Sequence, residues 1–121
     1  MKRDFDVIRD LLLEIEQKTT LNEVVDYYQL GEDDDATETQ VYHAKLLLEA
    51  GYANGNDDGP GAMIFSLTWA GHDLLDTIRD DTVWRKTKEK VSKGVASTSI
   101  EIIKGVAEGI TRGMIFGPGS G

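Results

Sequence analysis

The sequence predicts a mainly α fold with a small β-hairpin wing, winged-helix-like, followed by a C-terminal helical oligomerisation arm. Three observations predict it. Apolar residues recur at helical spacing in four segments between Asp4 and Asp80. A stretch dense in turn formers, Asn54 to Gly61, interrupts them just before the fourth. A last apolar helical pattern, from about Ser99 to Met114, stands apart after a basic segment.

The first helix is expected from Asp4 to about Lys18, with Phe5, Ile8, Leu11, Leu12 and Ile15 as its apolar stripe and Asp4 as N-cap. A second, shorter helix is expected after Thr20. Leu21, Val24, Val25 and Tyr28 would be its buried stripe and Gly31 its end. The acidic run Glu32-Asp33-Asp34-Asp35 reads as a loop or a fraying helix start. Thr37 caps the third helix, and Gln40 three residues on completes a capping box. Val41, Ala44, Leu47 and Leu48 form its inner face, and Gly51 closes it. Tyr52-Ala53 enters a hairpin whose return strand places Met63, Phe65 and Leu67 on one face at period two. Thr68 then caps a fourth helix to about Asp80, with Ala70, Leu74, Leu75 and Ile78 inward. The third helix stands where a recognition helix would.

The expected organisation is a winged-helix-like domain at residues 1–81, a basic helix and hinge at 82–97, an amphipathic helix at 98–116 and a flexible tail at 117–121. In the last helix Ile100, Ile103, Ala107, Ile110 and Met114 follow the 3-4-3-4 spacing of a coiled-coil seam. Gly105, Gly109 and Gly113 recur every four residues beside it, as where another backbone comes close. This pattern predicts a homo-oligomer. Folding back onto the chain's own domain is the competing outcome.

Composition narrows the function classes. The absence of cysteine removes disulfides, thiolate nucleophiles and thiolate metal sites. Met1-Lys2-Arg3-Asp4 runs into an acidic amphipathic stretch rather than the apolar core of a signal peptide, and the longest aliphatic run is Leu11-Leu12-Leu13. A cytoplasmic protein with no membrane partner is therefore expected. Net charge is −9, but residues 1–81 hold six Lys/Arg and 19 Asp/Glu, while residues 82–121 hold seven and three. An acidic body repels phosphates. The third helix offers only Lys45, opposed by Glu38 and Glu49, so specific DNA binding is disfavoured.

No catalytic constellation emerges. His43 and His72 are the only histidines, and neither has a partner at a metal-helix spacing. A packed or capping imidazole is the favoured reading of each. Ser66 and Thr68 precede His72, but Thr68 already serves as a cap, and neither G-x-S-x-G nor a phosphate-cradling loop is present. Asn54, Asn56 and Asp58 with Gly59 have the start of a calcium loop, but Phe65 stands where its bidentate acid is needed. Asp73, Asp76, Asp80 and Asp81 read as a solvated helix face, with Arg79 pairing to Asp76. We therefore expect no enzyme, no cofactor and no metal. The candidate binding residues are Tyr42, His43, Trp69, His72, Trp84, Arg85 and Lys86: aromatics and histidines on predicted helices, and a tryptophan at the start of the basic segment. Trp84 would anchor that segment onto the winged helix.

The run Leu67-Thr68-Trp69-Ala70-Gly71-His72-Asp73-Leu74-Leu75-Asp76, continued by Ile78-Arg79-Asp80-Asp81-Thr82-Val83-Trp84 and Lys86-Thr87-Lys88, resembles a small bacterial and phage family known as domain of unknown function twenty-five-thirteen. Met1-Lys2-Arg3-Asp4, Val41-Tyr42-His43 and Leu47-Leu48-Glu49-Ala50-Gly51-Tyr52 extend the resemblance across roughly residues 1–104. It implies a winged-helix-like core and a phage or prophage accessory gene, and it carries no catalytic residues over. The function expected is non-enzymatic binding of a protein or small ligand, with a host or defence factor among the candidates. A DNA-binding transcriptional regulator is the alternative.

Overall fold

The computed structural model describes residues 1–28, 37–94 and 98–116. Gly31, the acidic run 32–35, the middle of the expected hinge and the 117–121 tail lie outside the described residues. Among the described residues five helices and three strands follow one another: α1 (Phe5–Lys18), β1 (Val25–Tyr28), α2 (Glu38–Glu49), β2 (Ala53–Asp57), β3 (Gly61–Leu67), α3 (Trp69–Ile78), α4 (Asp81–Gly94) and α5 (Ile100–Phe116). The fold is thus mainly helical with one small antiparallel sheet, ordered β1-β3-β2. The chain divides into two compact units, Met1–Leu75 and Asp76–Gly121.

In the first unit, α1 and α2 pack on each other and on the sheet. Ile8, Leu11, Leu12 and Ile15 of α1, Val41, Ala44 and Leu47 of α2, and Val25, Tyr27, Ala62, Ile64 and Leu67 of the strands are buried. Local chemistry sets the ends. The Asp4 carboxylate accepts the Asp6 N–H at 2.9 Å and so starts α1. At Thr37 the capping box forms in both directions: the hydroxyl accepts the Gln40 N–H at 3.1 Å and the Gln40 side chain accepts the Thr37 N–H at 3.0 Å. The far end of α2 is a Schellman turn. Tyr52 N–H reaches the Leu47 carbonyl and Gly51 N–H reaches the Leu48 carbonyl. Gly51 sits at φ +80°, where a side chain would be strained.

Beyond Ala70 of α3, expected inward but exposed, two expectations fail here. The short second helix is replaced by strand β1: Leu21 is fully exposed, Val24 is largely exposed, and burial falls instead on Val25 and Tyr27 at period two. The run Val24-Val25-Asp26-Tyr27-Tyr28 is β-branched and aromatic, which suits a pleated half-buried surface better than a helix, and β3 supplies the hydrogen-bonding edge. The order before the hairpin is accordingly helix, strand, helix. The second failure is the face of the return strand. Ala62 and Ile64 point inward, Met63 is half-buried and Phe65 is 40% exposed. Asn54 faces Ser66 while Gly55 faces Ile64, so Phe65 is the extra residue of a β-bulge. The bulge resets the alternation and returns Leu67 to the core. Half of the stretch read as a long turn is strand β2 and Gly61 begins β3, leaving Asp58, Gly59 and Pro60 as the tip, with Gly59 at φ +83°.

In the second unit, α4 packs on α5. Val83, Trp84 and Thr87 of α4 and Ile103 and Ala107 of α5 are buried. The Thr87 hydroxyl donates to the Val83 carbonyl at 2.7 Å, which makes a polar residue tolerable there. No helix among the described residues is long and apolar enough to cross a membrane.

Candidate binding surface

The two histidines have opposite surroundings. His43 on α2 is fully buried. Its Nε2 accepts the Asp4 backbone N–H at 2.7 Å, and its Nδ1 lies 2.7 Å from the Thr39 carbonyl oxygen. A backbone N–H can only donate and a carbonyl can only accept, so the ring is the neutral Nδ1–H tautomer. Nε2 thus joins α2 to Asp4, the N-cap of α1, while Nδ1 bonds within α2, and Tyr42 packs edge-on against the ring at 5.2 Å. His72 on α3 is half-exposed, with its Nδ1 4.0 Å from Glu16 near the other end of α1. Asp4 and Glu16 are 12 residues apart, about 18 Å of helix rise, so the histidines belong to two separate places rather than to one site.

Trp69 opens α3 and is 85% exposed. The preceding Thr68 holds it there. The Thr68 hydroxyl accepts the Gly71 N–H at 3.0 Å and donates to the Gly51 carbonyl at 2.6 Å, so one side chain caps α3 and ties it to the end of α2. Gly71 passes so close to the Tyr52 carbonyl that a β-carbon would collide with it. This rigid corner sets the indole in solvent, one helical turn from the His72 imidazole.

Trp84, Arg85 and Lys86 lie in the second unit. Trp84 is buried, with the Lys88 ammonium 5.7 Å from its ring centre. Arg85 and Lys86 are exposed, and Arg85 stands 3.7 Å from Glu89. The residues expected to form a seam between copies divide. Ile103 and Ala107 are buried in the chain's own second unit, Ile100 and Ile110 are half-buried, and Met114 is exposed. Gly105, Gly109 and Gly113 face open space.

One feature escaped the sequence reading. An open cleft of about 620 Å³ runs along β1 and the end of α1, lined by Glu14, Lys18, Glu23, Asp26 and Tyr27 among others. The Tyr27 hydroxyl donates to Glu14 at 2.6 Å. Burial, and then the Glu14 carboxylate, push the phenol well above the ordinary tyrosine range. Lys18 pairs with the same carboxylate at 3.4 Å. The signal was the Val-Val-x-Tyr-Tyr strand pattern, hidden by the helical reading of the same residues. Among the described residues no group of three or more His, Asp or Glu could hold a metal.

A family model described as hypothetical protein (DUF2513) matches residues 2–98. The chain belongs to the DUF2513 family. The match spans the first unit and α4 and stops just before α5. A relative from Haemophilus influenzae (strain ATCC 51907 / DSM 11121 / KW20 / Rd), described as an uncharacterized protein, is 38% identical over 122 residues, covering 95% of this chain and 99% of its own. No solved structure matches the chain.

Proposed function

We propose that this DUF2513 member is a non-enzymatic binding protein that engages a protein or small-molecule partner in the cytoplasm through the Trp69–His72 corner. The observation that carries this reading is the 85% exposure of Trp69. The first position of α3 needs no aromatic group, because Thr68 and Gly71 supply the cap and the close contact. An indole kept in water at a rigid corner is the kind of group that anchors an interface. We read the scaffold as winged-helix-like. The order β1-β3-β2, with the β2–β3 hairpin directly after α2, supports that reading. We read α5 as the arm through which copies associate, supported by its open glycine stripe and exposed Ile102, Met114 and Ile115. The phage or prophage accessory role rests on the family resemblance.

The alternative, a transcriptional regulator reading bases with α2, has less support. Lys45 is the only cation of α2, and it is held by Asp57 at 3.0 Å and by the Gly59 carbonyl, so it braces the hairpin. The deciding experiment compares cross-linked complexes formed in cells by the wild-type chain and by Trp69→Ala. The same complex must vanish with Trp69→Ala and survive Lys45→Ala. A complex that persists without Trp69 would remove the corner as the binding surface.

A further inference from the structure

Positive charge in this acidic chain is concentrated on one helix. The first unit holds five Lys/Arg against sixteen Asp/Glu. Between Arg85 and Lys93, α4 holds five cations and one acid, Glu89. That is a net of four charges over about 12 Å of helix. The cations are not equivalent. Arg85 is paired with Glu89, and Lys88 lies over Trp84. Lys86, Lys90 and Lys93 sit at i, i+4 and i+7, so they line one exposed ridge about 10 Å long. Among the described residues none of the three has a carboxylate within ion-pair distance, although the chain carries 22 acids.

We propose that this lysine ridge docks on the phosphodiester backbone of nucleic acid without regard to base sequence. Duplex DNA presents one negative charge per about 1.7 Å, a dense array of opposite sign to the ridge. Lysine contributes point charges rather than the bidentate fork that reads guanine. Trp84, the aromatic residue of this helix, is buried and offers no stacking platform. The side of α4 carrying Val83, Trp84 and Thr87 is likewise buried, so the helix has no free apolar face to lay into a bilayer. The polyanion that fits is therefore a nucleic-acid backbone rather than a lipid surface. This inference is independent of the Trp69 corner.

The test is anisotropy of fluorescein-labelled duplexes of two unrelated sequences, titrated with the full chain between 50 and 200 mM salt. Three phosphate contacts give a slope of log affinity against log salt of about −2.7, or about a 40-fold loss across that range. Replacing the ridge by Lys86→Gln, Lys90→Gln and Lys93→Gln flattens the slope and lowers affinity at least tenfold at 50 mM, with circular dichroism unchanged. Should the triple variant unfold, Lys90→Gln alone must still reduce the slope by about 0.9. Trp69→Ala leaves DNA binding intact. The proposal is overturned by no binding at 50 mM, by binding that ignores the lysines, by more than tenfold preference between the two sequences, or by equally lysine-dependent retention on phosphatidylglycerol vesicles.

Discussion

The two units solve the problem of burying apolar surface differently. In the first, α1, α2 and the inner face of the sheet all find partners, and the polar groups between them are joined: His43 to Asp4 and Thr39, Thr68 to Gly51 and Gly71, Tyr27 to Glu14. In the second, α4 and α5 pack on each other and Ile103 and Ala107 are buried, while Ile102, Met114 and Ile115 remain exposed and the α5 glycines face open space. Closure by polar cross-ties goes with an acidic surface and a single exposed indole. A half-covered helix pair goes with cationic charge and an unoccupied apolar side. The first unit therefore has its main apolar faces covered, whereas the second leaves part of α5 exposed.

The largest test of that contrast lies in the two histidines. His43→Ala leaves a cavity and strands the Asp4 N–H, and we expect a loss of about 3 kcal/mol in urea unfolding. His72→Ala, at a half-exposed site, is expected to change stability by less than about 0.5 kcal/mol. Comparable losses from the two substitutions would end the distinction between a strut and a surface histidine.

Next is the glycine stripe of α5. Gly105, Gly109 and Gly113 have no neighbour that an added β-carbon would strike. Their joint replacement by alanine should raise helix stability by about 2–3 kcal/mol, from about 0.8–1 kcal/mol each. If copies associate through this stripe, light scattering of the same variant shows a smaller particle, because the added methyl groups hold the backbones apart. A gain in stability with no change in particle size would leave α5 as a helix packed on its own chain. Thr68→Ala should cost about 1–2 kcal/mol, since one hydroxyl serves both the α3 cap and the Gly51 carbonyl. A loss of a few tenths would show that the corner holding Trp69 is tied elsewhere.

Much of this fold was legible because it rests on local chemistry. Asp4, Thr37 with Gln40, Gly51 and Thr68 each fix a helix end through bonds to residues a few places away, and each stands where the spacing put it. Arg79 meets Asp76 at 2.6 Å for the same reason. What failed depends on pairing between distant residues. Val25 to Tyr28 are a strand because Gly61 to Ile64 lie beside them. The inward face of β3 depends on a bulge that only the opposite strand creates. The site residues followed the same rule: the surroundings of His43 and His72 come from opposite ends of α1, which no spacing around either histidine could reveal. The cleft along β1 was invisible as long as its wall was read as a helix.

The smallest effect sharpens the comparison at the hairpin tip. Asp57 accepts the Gly59 N–H at 2.9 Å and the Lys45 ammonium at 3.0 Å. These contacts, the backbone bond first, hold its carboxyl below the ordinary aspartate range. A carboxyl whose folded value is depressed contributes stability above its unfolded value and loses it as pH falls through the folded one. The hairpin should therefore loosen only on the acid side of the ordinary aspartate range, and not between neutrality and that range. The side chain is exposed, so the effect is local and small. Carbon-detected NMR titration of the Asp57 carboxyl, with the Gly59 amide followed in parallel, checks it: both signals should move together at a pH below that of an unstructured aspartate. Asp57→Asn should abolish the pH dependence of the Gly59 amide while leaving the buried ties of His43 unchanged. An Asp57 carboxyl that titrates at the ordinary value would mean that Lys45 does not brace the tip, and would return the cation of α2 to the surface where a regulator would need it.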